Sequence, residues 1–337
     1  MTPSQEDILY LDSNENLQIS KTFLKSILES AIDSTDPRMY PEGQYDRLTH
    51  SLAEYLNIQE DEVVIGTGAD GIIDLFARSM MTSNDSALII EPTFTMYRKV
   101  LSVYHRKIRE VLLKEEFKLD VEGVKEELLG RNEVLFICSP NNPTGNQFDR
   151  DEVRALLEST KGLILLDEVY VEFARETLID LVKNYDNLFV LRTFSKAFGL
   201  AGLRLGYAVT NDILAKTVRE QVSLPYPVST LASSTASILL ENMSQVEEAI
   251  IKVKQMRTML YNELQKFPRV RVYPSQANFI LFEVPQSSDS IAKQMLELGV
   301  KVRVIEWIKN DGNYIRVSVP PVSELKRVVN VFKEVLK

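Results

Sequence analysis

Short, almost wholly apolar runs recur along the first two thirds of the chain, separated by longer amphipathic stretches. Val63-Val64-Ile65 and residues 87–90, 134–137, 163–166 and 188–191 all lack the polar alternation of a half-wet strand. Runs of this kind suit strands covered on both faces, and helices between them supply the crossovers of a mostly parallel sheet. Beyond about Leu224 the pattern changes. Helices are predicted from Ser229 to about Leu240 and from about Val246 to Lys266, then strands at 279–284, 300–304 and 314–319. The last two strands carry charge at alternate positions, as on a sheet with one wet face. The expectation is an α/β protein with a large, mostly parallel (mixed) sheet domain over residues 36–235. A smaller α+β domain over 236–337 follows, joined by an N-terminal arm, 1–35. Ligands of open α/β sheets sit beyond the carboxyl ends of the strands, so chemistry is sought in the post-strand residues.

Composition narrows the function classes. The chain has 337 residues, 45% apolar and 26% charged, enough for two domains. Cys138 is the only cysteine and there are two histidines, so an intrachain disulfide and a closed Cys/His zinc site are excluded; no metal is expected. The net charge of −9 argues against nucleic-acid and anionic-membrane partners while allowing a local basic pocket. The first thirty residues contain no signal-peptide core, and no apolar run approaches the ~20 residues of a membrane helix. A soluble, cytoplasmic protein is expected.

Gly66-Thr67-Gly68-Ala69-Asp70-Gly71 spells G-x-G-x-x-G between a strand and a helix, and Glu91 follows twenty residues later. These are the marks of a dinucleotide site, hence of an NAD-dependent dehydrogenase. A ligand-free turn, or a cradle for some other phosphate, fits the same letters. Glu91 runs directly into Pro92-Thr93-Phe94, a turn rather than a ribose pocket, which weighs against the dinucleotide.

The later strands end in polar clusters. Residues 134–137 lead into Ser139-Pro140-Asn141-Asn142-Pro143-Thr144-Gly145, and 163–166 into Asp167-Glu168-Val169-Tyr170. Residues 188–191 lead into Arg192-Thr193-Phe194-Ser195-Lys196-Ala197-Phe198-Gly199, with Arg204 eight positions after Lys196. A carboxylate, an amide, a phenol, a hydroxyl, an amine and a guanidinium near one sheet edge suit a flat, phosphorylated, cationic-ring cofactor bearing an aldehyde. Singly, each has a plainer explanation: Asp167 a helix cap, Asn142 a turn, Tyr170 a packed aromatic, Lys196 a surface charge.

Taken together, N-N-P-T-G, D-E-x-Y and S-K-A-F-G-L-A-G-L-R resemble, in order and separation, the fold-type I pyridoxal-phosphate (PLP) aminotransferases. Pro225-Tyr226-Pro227-Val228-Ser229 and Arg38-Met39-Tyr40-Pro41-Glu42 narrow the resemblance toward the histidinol-phosphate aminotransferase branch. The resemblance implies pyridoxal 5′-phosphate as cofactor, with Lys196 as the amine that condenses with its aldehyde. Asp167 would pair with the pyridine nitrogen, and Asn142 and Tyr170 would hydrogen-bond the ring's phenolic oxygen. Ser195, Arg204 and the turn Gly68-Ala69-Asp70 would hold the phosphate, and Tyr97 would stack on the ring.

On the substrate side, the resemblance makes Arg316 and Arg303 anion-binding residues beside Asn142. It makes Tyr40 a residue reaching the partner subunit's site, and thus implies a homodimer. Leu11-Asp12-Ser13-Asn14-Glu15-Asn16 resembles the family's arm over the pocket, with Leu17 where proline usually follows. The implied reaction moves an amino group between L-histidinol phosphate and 2-oxoglutarate, in histidine biosynthesis. An aromatic amino acid aminotransferase and a phospho-amino-acid decarboxylase of the same fold would use nearly the same cofactor residues.

Overall fold

The structure, a computed structural model, describes residues 7–81, 85–129, 133–222, 224–309 and 312–336. The outermost residues of the expected arm and C-terminal domain therefore lie outside the described residues. Strands are numbered in chain order: β1 (Leu9–Tyr10), β2 (Val63–Gly66), β3 (Ser86–Glu91), β4 (Lys107–Leu112), β5 (Val134–Cys138), β6 (Ile164–Asp167), β7 (Leu188–Thr193). Then come β8 (Gly206–Val209), β9 (Arg271–Val272), β10 (Phe279–Val284), β11 (Val300–Lys301), β12 (Arg303–Ile305) and β13 (Asn313–Ser318).

Seven strands form the large sheet in the order β2-β8-β7-β6-β5-β3-β4. β7, β6, β5, β3 and β4 pair in parallel, whereas β8 runs antiparallel to both β2 and β7. The apolar runs of the sequence are its interior: every residue of β2, β5, β6 and β7 is buried. At about 1.5–3 kcal/mol for each fully buried Leu, Ile or Val, these strands dominate the core. β4 and β8 were not predicted, for opposite reasons. Lys107-Ile108-Arg109-Glu110 is an edge segment, and charge on an edge blunts pairing with other chains. β8 is only four residues long and begins with a glycine.

The second sheet is antiparallel, in the order β12-β13-β10-β9, and β1 of the N-terminal arm pairs in parallel with β11 beside it. The predicted helix after Ser229 spans Thr230–Leu240, and its start is set by Ser229, whose hydroxyl accepts the Ala232 N–H. It packs on the helices Lys21–Asp33 and Glu42–Leu56. The predicted long helix spans Ser244–Leu264, with Val246, Ala249, Val253, Met256, Leu260 and Leu264 buried at three- and four-residue spacing. No described helix is long and apolar enough to cross a membrane.

Candidate active site

The carboxyl ends of β2, β5, β6 and β7 open onto a cavity of about 280 Å³, closed from the other side by the arm and the second sheet. At one end the chain leaves β2, turns through Gly68 at φ +70°, and enters the helix Gly68–Ser79. A helix start has N–H groups with no intrahelical acceptor, and Thr67 does not cap them. Its hydroxyl donates instead to the Pro227 carbonyl at 2.7 Å. Two glycines make the turn possible. A Cβ on Gly206 would stand 2.5 Å from the Gly68 carbonyl carbon and 2.8 Å from the Ala69 nitrogen. A Cβ on Gly68 would meet the Arg204 guanidinium at 2.8 Å. Arg204 itself has φ 52° and donates to Asp70 Oδ2 at 3.0 Å. Exposed N–H groups, an Arg fork and the nearby Ser195 hydroxyl make an anion cradle.

β6 and β7 deliver the central residues. Asp167, the last residue of β6, is 1% exposed, and burial pushes its carboxyl up to about 6 against hydrogen bonds from Tyr97 and the Val169 N–H. Behind it, Glu168 accepts from Arg192 Nε at 3.0 Å and Nη2 at 2.7 Å, from Leu178 N–H at 2.6 Å and from the Thr177 hydroxyl at 2.9 Å. This buried pair staples the end of β6 to β7, and so fixes Asp167 relative to Ser195 and Lys196. The arm crosses the mouth and is bonded to both walls. Ser13 O accepts from Lys196 Nζ at 2.8 Å, and Asn14 Nδ2 donates to the Tyr170 hydroxyl at 3.0 Å. Asp12 O accepts from Arg316 Nη2 at 2.8 Å, and Asn16 Nδ2 donates to Ala197 O at 2.8 Å.

Arg316 on β13 is directly opposite Arg303 on β12, so both emerge on one face of the second sheet. Arg316 Nη1 also donates to Asn142 Oδ1 at 2.5 Å, which leaves only the Asn142 amide N–H groups to serve a ligand oxygen. Lys196 is pushed down to about 8, first by burial and then by the Arg316 charge. A neighbouring cation disfavours the ammonium, so removing it raises the pKa. Competitive amine labelling of the cofactor-free protein should therefore modify Lys196 with a midpoint near pH 8, against ~10.4 for ordinary lysines. In Arg316→Leu that midpoint should move upward; a midpoint at the ordinary lysine value in the parent protein would contradict the burial of this amine.

The cavity brings together Ala69, Asp70, Asn142, Asp167, Tyr170, Ser195, Lys196, Arg204, Arg303 and Arg316. Gly68 shapes the turn behind the wall. Tyr97 is a correction: it is not on the wall, its ring is 0% exposed, and its hydroxyl donates to Asp167 from behind. Three residues earlier, Phe94 lines the cavity instead, because the helix Met96–Val103 starts just after it and rotates Tyr97 into the core. Tyr40 also lies off this chain's cavity, 79% exposed and stacked on Tyr226 at 5.2 Å. Sequence reasoning also missed Trp307, which lines the cavity from beyond β12, and the Glu168–Arg192 pair. An Arg directly after the apolar run of β7, where the strand continues to Thr193, was the available signal for the pair. Glu91 is 8% exposed and bonded to the Thr93 N–H at 2.9 Å and to Arg98 at 3.2 Å, so no carboxylate waits for a ribose.

The residues present fit pyridoxal phosphate: an anion cradle, a buried carboxylate and an amine with lowered pKa converge on one cavity. A family model described as aminotransferase class I and II matches residues 6–332. The chain belongs to the class I and II aminotransferases. Among its relatives, the histidinol-phosphate aminotransferase of Methanocaldococcus jannaschii is 34% identical over 98% of this chain and 90% of its own. The crystal structure of the histidinol-phosphate aminotransferase from Clostridium acetobutylicum superposes with TM-score 0.88 at 26% identity, over 97% of this aminotransferase and 99% of that chain. L-threonine-O-3-phosphate decarboxylase from Porphyromonas gingivalis shares the fold too, with TM-score 0.84 at 23% identity over 97% and 99% of the two chains. Fold alone thus does not choose the reaction.

Proposed function

We propose that this aminotransferase uses pyridoxal 5′-phosphate to move an amino group between L-histidinol phosphate and 2-oxoglutarate, in histidine biosynthesis. The observation that carries the substrate is the pair of facing arginines, Arg303 and Arg316, which line the cavity from the second sheet whereas the phosphate cradle is built on the large one. Two guanidinium groups match a doubly charged phosphate, and equally the distal carboxylate of 2-oxoglutarate. Near-full-length relatives named for this activity support the same choice.

When bound, pyridoxal phosphate supplies the electron sink for the substrate's α-carbon. Lys196 would be the covalent anchor, and its Nζ would be the group that accepts the substrate's α-proton. Asp167 would accept a hydrogen bond from the protonated ring nitrogen, and Asn142 and Tyr170 would donate to the ring's phenolic oxygen. Ala69, Asp70, Ser195 and Arg204 would hold the phosphate, and Phe94, which lines the cavity where Tyr97 does not, would be the ring's stacking partner. The arm, bonded at Ser13, Asn14 and Asn16, keeps water away from the amine. The same reading divides the chain into an arm (1–35), a cofactor domain (36–235) and a smaller domain (236–337). It makes the working unit a cytoplasmic homodimer in which Tyr40 enters the partner's site. Support for that comes from the exposed apolar strip of Met39, Tyr40, Leu224 and Tyr226.

A single-turnover absorbance experiment tests the substrate. Adding L-histidinol phosphate without an oxo acid should bleach the visible band of the bound cofactor, and 2-oxoglutarate should restore it. A band indifferent to L-histidinol phosphate but bleached by phenylalanine would transfer the assignment to the aromatic enzyme. Turnover that needs no acceptor would transfer it to a decarboxylase.

A further inference from the structure

Tyr97 lies in the first turn of the helix Met96–Val103, with its ring against Phe136 (centroids 5.3 Å apart) and edge-on to Phe94 (5.7 Å). Its hydroxyl donates to Asp167 Oδ2, while Asp167 Oδ1 accepts the Val169 N–H at 3.1 Å. A carboxylate has about four acceptor sites, so these two bonds leave room for one more donor from the cavity side. The other groups around Asp167 are already committed. Glu168 is held by Arg192, Asp70 by Arg204, and the Cys138 thiol donates to the Pro140 carbonyl at 3.3 Å. Burial and the Asp167 charge hold the Tyr97 phenol far above its usual pKa, so it stays a donor at any working pH.

We propose that Tyr97 is a positioning residue for the cofactor's ring nitrogen: by donating to Asp167 Oδ2 it keeps that carboxylate a weak base. The proton shared between Asp167 and the ring nitrogen then stays on the ring. The physical reason is that a hydrogen bond to the ionised form of an acid favours that form. The bond is charge-assisted and shielded from water, where such bonds are strongest. Burial alone would work the other way, raising the basicity of Asp167 and drawing the proton off the ring. A tyrosine that only filled space behind the sheet would need no hydroxyl, and phenylalanine would serve as well. The proposal rests on Asp167 being the ring nitrogen's partner, and the test separates the two.

The holoenzyme is prepared with pyridoxal phosphate carrying ¹⁵N in the ring, and the nitrogen resonance is compared in the parent protein, Tyr97→Phe and Asp167→Asn. The parent should show a protonated ring nitrogen, and Asp167→Asn a neutral one. Tyr97→Phe should lie between them, with kcat reduced about ten- to a hundredfold, the worth of a hydrogen bond to a charged group. Because removal of the hydroxyl could impair folding, 3-fluorotyrosine at position 97 serves as a second arm. Its more acidic phenol is a stronger donor, and should raise the pH at which the ring nitrogen loses its proton. A Tyr97→Phe resonance identical with the parent's, or a titration of the ring nitrogen unchanged by fluorination, would overturn the role of Tyr97 and leave Asp167 in place. A neutral ring nitrogen in the parent would overturn both.

Discussion

Amino transfer by Lys196→Ala is expected to fall by at least about 10⁴-fold, the upper range of what one positioned proton carrier contributes. Two roles are lost with one atom: the covalent anchor and the acceptor of the α-proton. The rest of the site should survive, because the phosphate cradle is built on β2, Gly206 and Arg204 and the Asp167 carboxylate is held by Tyr97 and Val169. The Lys196 amine donates to Ser13 O, a contact at the cavity mouth rather than in the core, so the fold has little reason to change. Stopped-flow absorbance should therefore find a variant that still binds pyridoxal phosphate but does not turn over. Activity persisting within tenfold of the parent would remove Lys196 from the chemistry, and would be the outcome expected of a nicotinamide enzyme on this fold.

Arg316→Leu carries the second largest expected effect, a loss of about 30- to 5,000-fold in kcat/KM for both the amino donor and 2-oxoglutarate. That range corresponds to about 2–5 kcal/mol for truncating one partner of a buried, hydrogen-bonded charge pair. Both half-reactions should suffer, since both substrates present an anion to the same arginine. Arg316 is 7% exposed and also holds Asn142 Oδ1 and the Asp12 carbonyl, so its removal loosens the amide facing the cofactor and the arm together. Steady-state kinetics with each substrate varied in turn checks this. Arg316→Lys should recover only a minor part, because an ammonium cannot bond two groups in a planar fork and still face an anion. A loss confined to one substrate would mean that Arg303 alone serves the other.

Much of the site was legible because its residues follow buried strands. An apolar run of four or five residues announces a strand covered on both faces, and the polar cluster after it must then lie at the sheet's carboxyl edge. Asp167, Lys196 and Asn142 were found on that logic, and the structure brings them to one cavity. The failures have a common cause. Tyr97 and Phe94 are three residues apart at a helix start, where a shift of under one turn decides which ring faces the ligand and which the core. Trp307 sits beyond a strand of the second sheet, with no local signal of the cavity it borders. Glu168 and Arg192 are 24 residues apart, and only the pairing of β6 with β7 makes them neighbours.

By itself the sequence determined the class of the sheet, the strands that build it, and the chemical groups at its edge. These depend on local patterning, on hydrophobic period and on residues adjacent along the chain. Only the tertiary structure decided the strand order with β8 antiparallel, the passage of the arm between Lys196 and Arg316, and the turn of Tyr97 behind Asp167. Each of these depends on contacts between segments far apart in the chain, or on the rotation of a helix against a sheet. Such contacts are set by how whole surfaces pack, and no spacing within one segment encodes them.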